Sequence, residues 1–368
     1  MSTNLLILLS RFDYYKRVMC AILPICTAKS HKGNPAANLI THNSYCFPVF
    51  ISGLASLVLS SSEVTLIDQH IKVTVQRIQK RCDKTPHCAK MFLGGQLPGK
   101  ALYHLRLLSV FGMISRLQGS IVHRIATYQL SSAKPSSGSW FLQVRDLFVK
   151  YTLPSPLTLL DCPMTKLSYK KLVKSKVIDF WETHLREEAA NLRENSLRYF
   201  KAEYMSLTKP HPIWLTCGSN PFEVHKAVTQ ARMLSGRYVT DQLSRHWTKN
   251  SSGLCSLTGC TGQDLGSLEH ILSFCPALSD ARLRVIELCR KVASESEELE
   301  AILNHFLENQ TTDVIMQFLL DCSTLPAVVL SNQSRRNTII PRLFYLTRTW
   351  CYSIHRSRMI QLGLFQYI

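Results

Sequence analysis

Ser62–Arg81 reads "SEVTLIDQHIKVTVQRIQKR". Val64, Ile67, Ile71, Val75 and Ile78 recur at three- and four-residue steps, which puts them on one stripe of an α-helix. Ser62 stands where an N-cap would, with Glu63 in the first turn and Arg77, Lys80 and Arg81 at the end, the polarity that the helix dipole favours. The same period returns in "GKALYHLRLLSVFGMISRLQ" (99–118), with Leu102, Leu105, Leu108 and Ile114 expected inward. "KKLVKSKVIDFWETHLREEAANLRENSLRYF" (170–200) reads as one long helix with Leu172, Val177, Phe180, Trp181 and Leu185 inward. "PFEVHKAVTQARML" (221–234) and "RYVTDQLSRHW" (237–247) read as two shorter helices, split by a cap and turn at Ser235-Gly236.

Loops are expected at "HKGNPAAN", "LSSAKPSSGS", "LPSPLTLLDCPM", "LTKPHPIWLTCGSNP" and "WTKNSSG". No run pairs convincingly as strands, and no fixed-period repeat is seen. The chain therefore reads as mainly α. Its 368 residues suffice for two or three units.

Lys and Arg total 43 against 25 Asp and Glu, a net charge of +18. A surplus that large favours polyanions as partners. It is uneven: residues 61–130 hold ten basic against three acidic groups, residues 277–321 four against nine, and residues 323–368 six arginines and no acid. The bland account of any one such block is a solvated helix face.

The 13 cysteines lack the dense spacing of a secreted disulfide scaffold, so free thiols in a reducing compartment are expected. "NLLILLS" is too short for a signal peptide, and "FPVFISGLASLVLS" falls short of the ~20 residues that span a bilayer. An intracellular protein, cytoplasmic or nuclear, with no membrane partner is expected.

One stretch carries metal chemistry. "CSLTGCTGQDLGSLEHILSFCP" (255–276) spaces Cys255, Cys260, His270 and Cys275 as C-x4-C-x9-H-x4-C. Three thiolates and an imidazole suit Zn²⁺ in a closed tetrahedral site, which is structural rather than hydrolytic. Gly259 lets the first pair turn tightly. Ser267 can cap a short helix, and Pro276 is placed to end it, as sharing one ion between His270 and Cys275 requires. The alternative is thiols and a surface histidine in register by chance. The surrounding segment is rich in Ser, Gly and Thr and short of large apolar residues, so a bound ion would offset much of its chain entropy. His87 between Cys82 and Cys88 lacks a fourth ligand and is set aside.

The order of several blocks adds a resemblance. "GNPAANLITHNSYCFPVFISGLASLVLS", "TLIDQHIKVTVQRIQK", "LPGKALYHLRLLSVFGMISRL", "SWFLQVRDLFVKYTLPSPLTLL", "HPIWLTCGSNPFEVHKAVTQARMLSGRYVTDQLSRHW", "EHILSFCP" with the cysteines before it, and "TRTWCYSIHRSRM" look like the C-terminal part of a non-LTR (LINE-type) retrotransposon reverse transcriptase. They cover the chain from about His31 onward; residues 1–30 remain an unassigned leader. The resemblance implies palm-exit and thumb-like helices over 31–130, a helical linker over 131–210, helices plus a CCHC zinc module over 211–280, and C-terminal helices with a basic tail over 281–368. It implies Cys255, Cys260, His270 and Cys275 as the zinc ligands. Such enzymes polymerise with paired aspartates that hold two Mg²⁺ ions. No Asp-Asp occurs in these residues; the only adjacent acids are Glu187-Glu188 and Glu297-Glu298, neither on a strand turn. The chain is expected to be inactive alone, with Mg²⁺ belonging only to a full-length parent. Without a palm to cover it, the apolar run Phe47–Leu59 is expected to lie exposed.

What remains is binding of RNA or DNA. Lys72, Arg77, Lys80 and Arg81, then Lys100, Arg106 and Arg116, are candidate phosphate contacts. Arg232, Arg237, Tyr238, Arg245, His246 and Trp247 interleave base with aromatic, as single-stranded RNA binding uses; core packing is the slightly favoured account of Tyr238 and Trp247, and more so of Trp181. Arg348, His355, Arg356 and Arg358 beside Trp350 and Tyr352 form a candidate basic clamp. The rivals are a host-retained zinc-stabilised nucleic-acid-binding protein and a helical protein-interaction scaffold. No Ser-His-Asp elbow, Walker loop or dinucleotide fingerprint appears.

Overall fold

The stripe of Ser62–Arg81 becomes the Ser61–Ile78 helix, with Val64, Ile67, Ile71, Val75 and Ile78 all buried. Its cap is Ser60 rather than Ser62. Ser60 accepts the Glu63 amide, and the Glu63 carboxylate accepts the Ser60 amide at 2.8 Å, so the acid three residues on selects among consecutive serines. The structure is a computed structural model that describes residues 3–27, 33–132, 138–193, 196–246, 251–308, 311–324 and 333–364. Among the described residues the fold is helical throughout; a single isolated bridge, Leu254 to Leu265, is the one extended pairing.

The Gly99–Ile114 helix lies between the Ser61–Ile78 and Lys166–Asn191 helices. Its inner face buries Tyr103, His104, Leu107, Leu108, Phe111 and Ile114, its outer face exposes Arg106, Ser109 and Met113, and Leu102 and Leu105 are half-buried between the two. Gly112 is where the Lys166–Asn191 helix comes closest: a Cβ there would meet the Tyr169 ring at 2.1 Å. That long helix starts at Lys166 and ends at Asn191, short of the expected Phe200. Val177, Trp181 and Leu185 face inward as expected, joined by Tyr169, Val173 and Ala189; Leu172 is half-buried and Phe180 is exposed. The His87–Gly94 and Gly99–Ile114 helices begin after Pro86 and Pro98, which offer no side-chain cap. Carboxylates from neighbouring helices serve instead: Glu188 accepts the Cys88 amide at 3.2 Å and Asp68 the Lys100 amide at 3.1 Å. Glu188 thus has a structural task.

Phe47–Leu59 is not an open face. Phe50, Ile51, Leu54, Ala55 and Leu59 are buried, and the Thr3–Thr27 helix lays Leu8, Phe12 and Tyr15 over them, with Phe12 and Phe50 rings stacked at 5.1 Å. Tyr15 Oη lies 2.5 Å from buried His42 Nε2. The expected loop at 31–38 also shortens, since a helix runs over Pro35–Thr41 behind an Asn34 cap.

In the second half the Gln333–Gln361 helix is the axis. The Pro221–Leu234, Ser279–Ala293 and Thr312–Leu320 helices all pack on it. Pro221–Leu234 matches its expected bounds, with Asn220 as cap and Gly236 at φ +63 after its end. The helix expected over 237–247 shrinks to one turn, Asp241–Ser244. The halves join where the His211 amide donates to the Leu93 carbonyl and Asn34 donates to the Trp214 and Gly218 carbonyls. The buried apolar residues form one connected cluster. No described helix is long and apolar enough to cross a membrane, and the eleven described cysteines are free thiols.

Candidate metal centre

Two short segments bring four donor atoms together. The first is a hairpin-like loop closed by the Leu254–Leu265 bridge, with the Cys255 amide donating to Asp264 O at 2.9 Å and the Gly266 amide to Gly253 O at 2.9 Å. Gly259 at φ +90 folds the loop back so that Cys260 returns toward Cys255. The second begins at Ser267, whose hydroxyl accepts the His270 amide at 3.2 Å, as its position before the run predicts.

The five-residue step from His270 to Cys275 is solved by a wider turn. His270–Phe274 is a π-helix, and the Cys275 amide donates to the His270 carbonyl at 2.7 Å. An i→i+5 turn puts both side chains on one face, which an α-turn would not. Pro276 then opens a 3₁₀ turn, Pro276–Leu278, and ends the helical path.

Cys255 Sγ and Cys275 Sγ are 3.8 Å apart, Cys260 Sγ and His270 Nε2 are 3.5 Å apart, and all four donor atoms lie within 4.8 Å of one another. A tetrahedral ion with metal–sulfur bonds of ~2.3 Å and a metal–nitrogen bond of ~2.0 Å sets edges of ~3.8 and ~3.5 Å. The four residues therefore fit a metal ion. Cys255, His270 and Cys275 are buried and Cys260 is half-buried. His270 turns Nδ1 toward the Asp264 carboxylate, 3.9 Å away, which leaves Nε2 for the centre. Backbone amides of Leu257, Gly262 and Ala277, each two residues after a cysteine, donate to Cys255, Cys260 and Cys275. Burial pushes the Cys255 thiol up to about 12 and raises Cys275; at Cys260 burial also raises, but the amide of Gly262 and the neighbouring thiols bring it below its ordinary value. Burial holds His270 below its usual value, in the neutral form that binds metals. Among the described residues this is the one cluster able to hold a metal; His87, Cys82 and Cys88 do not make a second.

The centre is bolted to the rest of the fold. Leu257, Ile271, Leu272 and Leu278 are buried around it, and Gln361 Nε2 donates to Ala277 O at 2.8 Å. Ser256 and the Gly266 carbonyl bond to Asp241 and the Gln242 amide.

The candidate phosphate contacts separate into three groups. Arg77, Arg106, Arg232, Arg245, His246 and Arg356 are exposed. Lys72, Lys80, Lys100, Arg116 and Arg237 are half-buried. Arg81, Arg348 and Arg358 are buried, and two of these are spent on internal partners. Arg348 pairs with Glu223 at 2.9 Å and donates to the Thr216 hydroxyl and carbonyl. Arg358 donates to Val239 O at 2.6 Å and sits 3.6 Å from Asp241. Neither presents its charge to solvent, so the tail clamp reduces to Arg356. Tyr238, Trp350, Tyr352 and Trp181 are buried; Trp247 lies outside the described residues.

Sequence reasoning passed over a ridge on the Lys166–Asn191 helix. Lys166, Lys170, Lys171, Lys174 and Lys176 are all exposed, with no acid before Asp179. The signal was present, but the helix was read for its apolar stripe alone. By contrast, an open cleft of about 520 Å³ beside the metal centre, lined by Arg198, Tyr199, Tyr238, His246 and Glu269, suits a phosphate poorly. There Arg198 is already paired with Asp313 at 2.8 Å and faces Glu269 at 3.7 Å.

Comparisons of the chain with protein-family profiles, with curated proteins and with solved structures return no match.

Proposed function

We propose that this chain is a nucleic-acid-binding region of a LINE-type reverse transcriptase, in which Cys255, Cys260, His270 and Cys275 hold a structural Zn²⁺. In such a parent it would contribute thumb and zinc-module contacts to RNA and target DNA during target-primed reverse transcription. The observation that carries the reading is the convergence of these four donors inside the ordered series of blocks that resembles that family. The ion would contribute ~10 kcal/mol or more to a segment with few large apolar side chains of its own. Binding would come from exposed cations on helix faces, Arg77, Arg106, Arg245, Arg356 and the lysines of 166–176, against phosphates. The paired carboxylates that polymerisation needs are not among these residues.

One observation favours a second reading, a self-standing zinc-stabilised RNA- or DNA-binding protein. The Thr3–Thr27 helix, outside the resemblance, covers the Phe50 face that a palm would otherwise meet.

The test is zinc content of the purified chain and of Cys260→Ser, with filter binding to single-stranded RNA and duplex DNA across a salt series. About one zinc per chain, lost in the variant, and affinity that falls steeply with salt are expected. Absence of zinc, or binding indifferent to salt, overturns the proposal and leaves a helical scaffold as the better account.

A further inference from the structure

The Ser61–Ile78 helix ends in an unusual way. The Lys80 amide donates to Arg77 O at 3.0 Å and the Arg81 amide to Gln76 O at 3.0 Å, the double bond of a helix-ending turn. Lys80 holds the left-handed position at φ 54, which glycine fills at no cost and lysine at about 1 kcal/mol. The turn folds Arg81 back into the protein. Arg81 is 6% exposed, yet none of its three guanidinium nitrogens has a hydrogen-bond partner. Lys80 Nζ has none either, and its nearby charge partner is the Cys217 thiol.

A guanidinium brings five donors, and buried donors without acceptors are strongly disfavoured. The other buried arginines obey that rule, Arg348 with Glu223 and Arg358 with Val239 O. So does buried Lys90, which donates to Gln76 and to Asp83 O. Asp83, the acid nearest in sequence, is engaged by Gln76 Nε2 at 2.5 Å. Arg81 instead meets a second cation. Arg232 reaches over from the Pro221–Leu234 helix, donates to Lys80 O at 3.2 Å, and stays exposed to solvent. Burial and then the charge of Arg232 work against the Arg81 cation, and only the Cys82 thiol offsets them. Two guanidinium cations thus meet between two helices, with no carboxylate acting on Arg81.

We infer that Arg81 and Arg232 form a site for a tetrahedral oxyanion of the phosphate type. A phosphate offers several acceptors at once, which two guanidinium forks can share, and its charge removes the repulsion between them. Exposed Arg232 gives the anion its way in. The phosphate could be free or part of a nucleic-acid backbone; the chemistry of the site is the same, and it does not rest on the function proposed above.

The test uses the full chain in a buffer free of phosphate and sulfate, titrated with inorganic phosphate at constant ionic strength set by chloride. A saturable rise in Tm is expected, with Arg232→Gln weakening the apparent affinity roughly tenfold while its Tm without phosphate stays at the wild-type value. Arg81→Met is expected to lose the response and to be no less stable without phosphate, because it removes a buried unpaired charge. If Arg81→Met fails to fold, Arg232→Gln alone decides. Equilibrium dialysis of phosphate against an oligonucleotide without terminal phosphates reads the source: displacement assigns the site to a nucleic-acid backbone, and no displacement assigns it to free phosphate. No phosphate-dependent shift in the wild type, or the same shift in Arg232→Gln, overturns the inference.

Discussion

Arg348→Ala and Arg356→Ala, eight residues apart on one helix, are expected to fail in different ways. Arg348 is 3% exposed and makes contacts at 2.9, 3.1 and 3.0 Å to Glu223 and Thr216. Removing one member of a buried ion pair costs ~3–5 kcal/mol. Glu223 keeps Lys226 at 2.8 Å and its side chain is 19% exposed, so the lower end, about 3 kcal/mol, is the better figure. For a chain of this length that corresponds to a fall in Tm of roughly 4 °C. RNA affinity, measured well below the new Tm, is expected to stay within about twofold of wild type, because the guanidinium never faces solvent. Arg356 is exposed. Its loss is expected to leave Tm within about 1–2 °C while lowering RNA affinity and reducing the slope of log affinity against log salt by about one. Thermal unfolding by circular dichroism and filter binding over a salt series read both. Weakened RNA binding by Arg348→Ala at unchanged Tm would show that its guanidinium serves a ligand rather than Glu223, and the sorting of the basic tail by burial would be wrong.

Acid should destabilise the fold through four histidines that burial keeps neutral. Burial holds His42, His70 and His355 at about 4 and His104 at about 3. An unfolded histidine titrates near ~6.5, so below that pH the unfolded state takes up protons first and stability falls by up to roughly 5 kcal/mol per pH unit until about pH 4. His104→Gln should remove about a quarter of that slope in chemical denaturation at stepped pH; an unchanged slope would acquit the ring. Gly112→Ala should cost ~3 kcal/mol or more, since its Cβ would sit 2.1 Å from the Tyr169 ring, and Gly112→Ala with Tyr169→Ala should show non-additive losses in double-mutant unfolding. Deleting residues 1–27 should expose Phe50 and raise dye binding to apolar surface; a deleted chain that stays monomeric and dark to the dye would mean that the helix is dispensable cover.

The Ser62–Arg81 stripe was legible because one face of that helix is buried and the other wet, so period and burial coincide at every step from Val64 to Ile78. Gly99–Ile114 also has a wet face, Arg106, Ser109 and Met113, but its polarity does not mark it. Tyr103 and His104 are nearly as buried as Leu108 while apolar Leu102 and Leu105 lie at the margin of the wet face, so apolar character does not pick out the inner side. Phe180 was expected inward for its size, yet the face defined by Val173, Val177 and Trp181 leaves it outside. The four metal donors were legible because all lie within 21 residues. The fates of Arg348 and Arg358 were not, because Glu223 and Asp241 stand more than a hundred residues away in sequence and only the folded chain introduces them. The Ser60 cap was within reach: a serine three before Glu63 is the pattern that closes both bonds.

The π-turn at His270–Phe274 also sets which insertions and deletions this region can survive. A π-turn is an α-helix that has absorbed one extra residue without moving its ends. Loss of any one residue between Ile271 and Phe274 would place the histidine and the cysteine four apart, still on one face of an ordinary α-turn. Gain of one would put them six apart on opposite sides, with no regular helix left to reconcile them. A lineage carrying this segment could therefore shorten it by a codon and keep the four donors together, whereas lengthening it by a codon would end the arrangement at once.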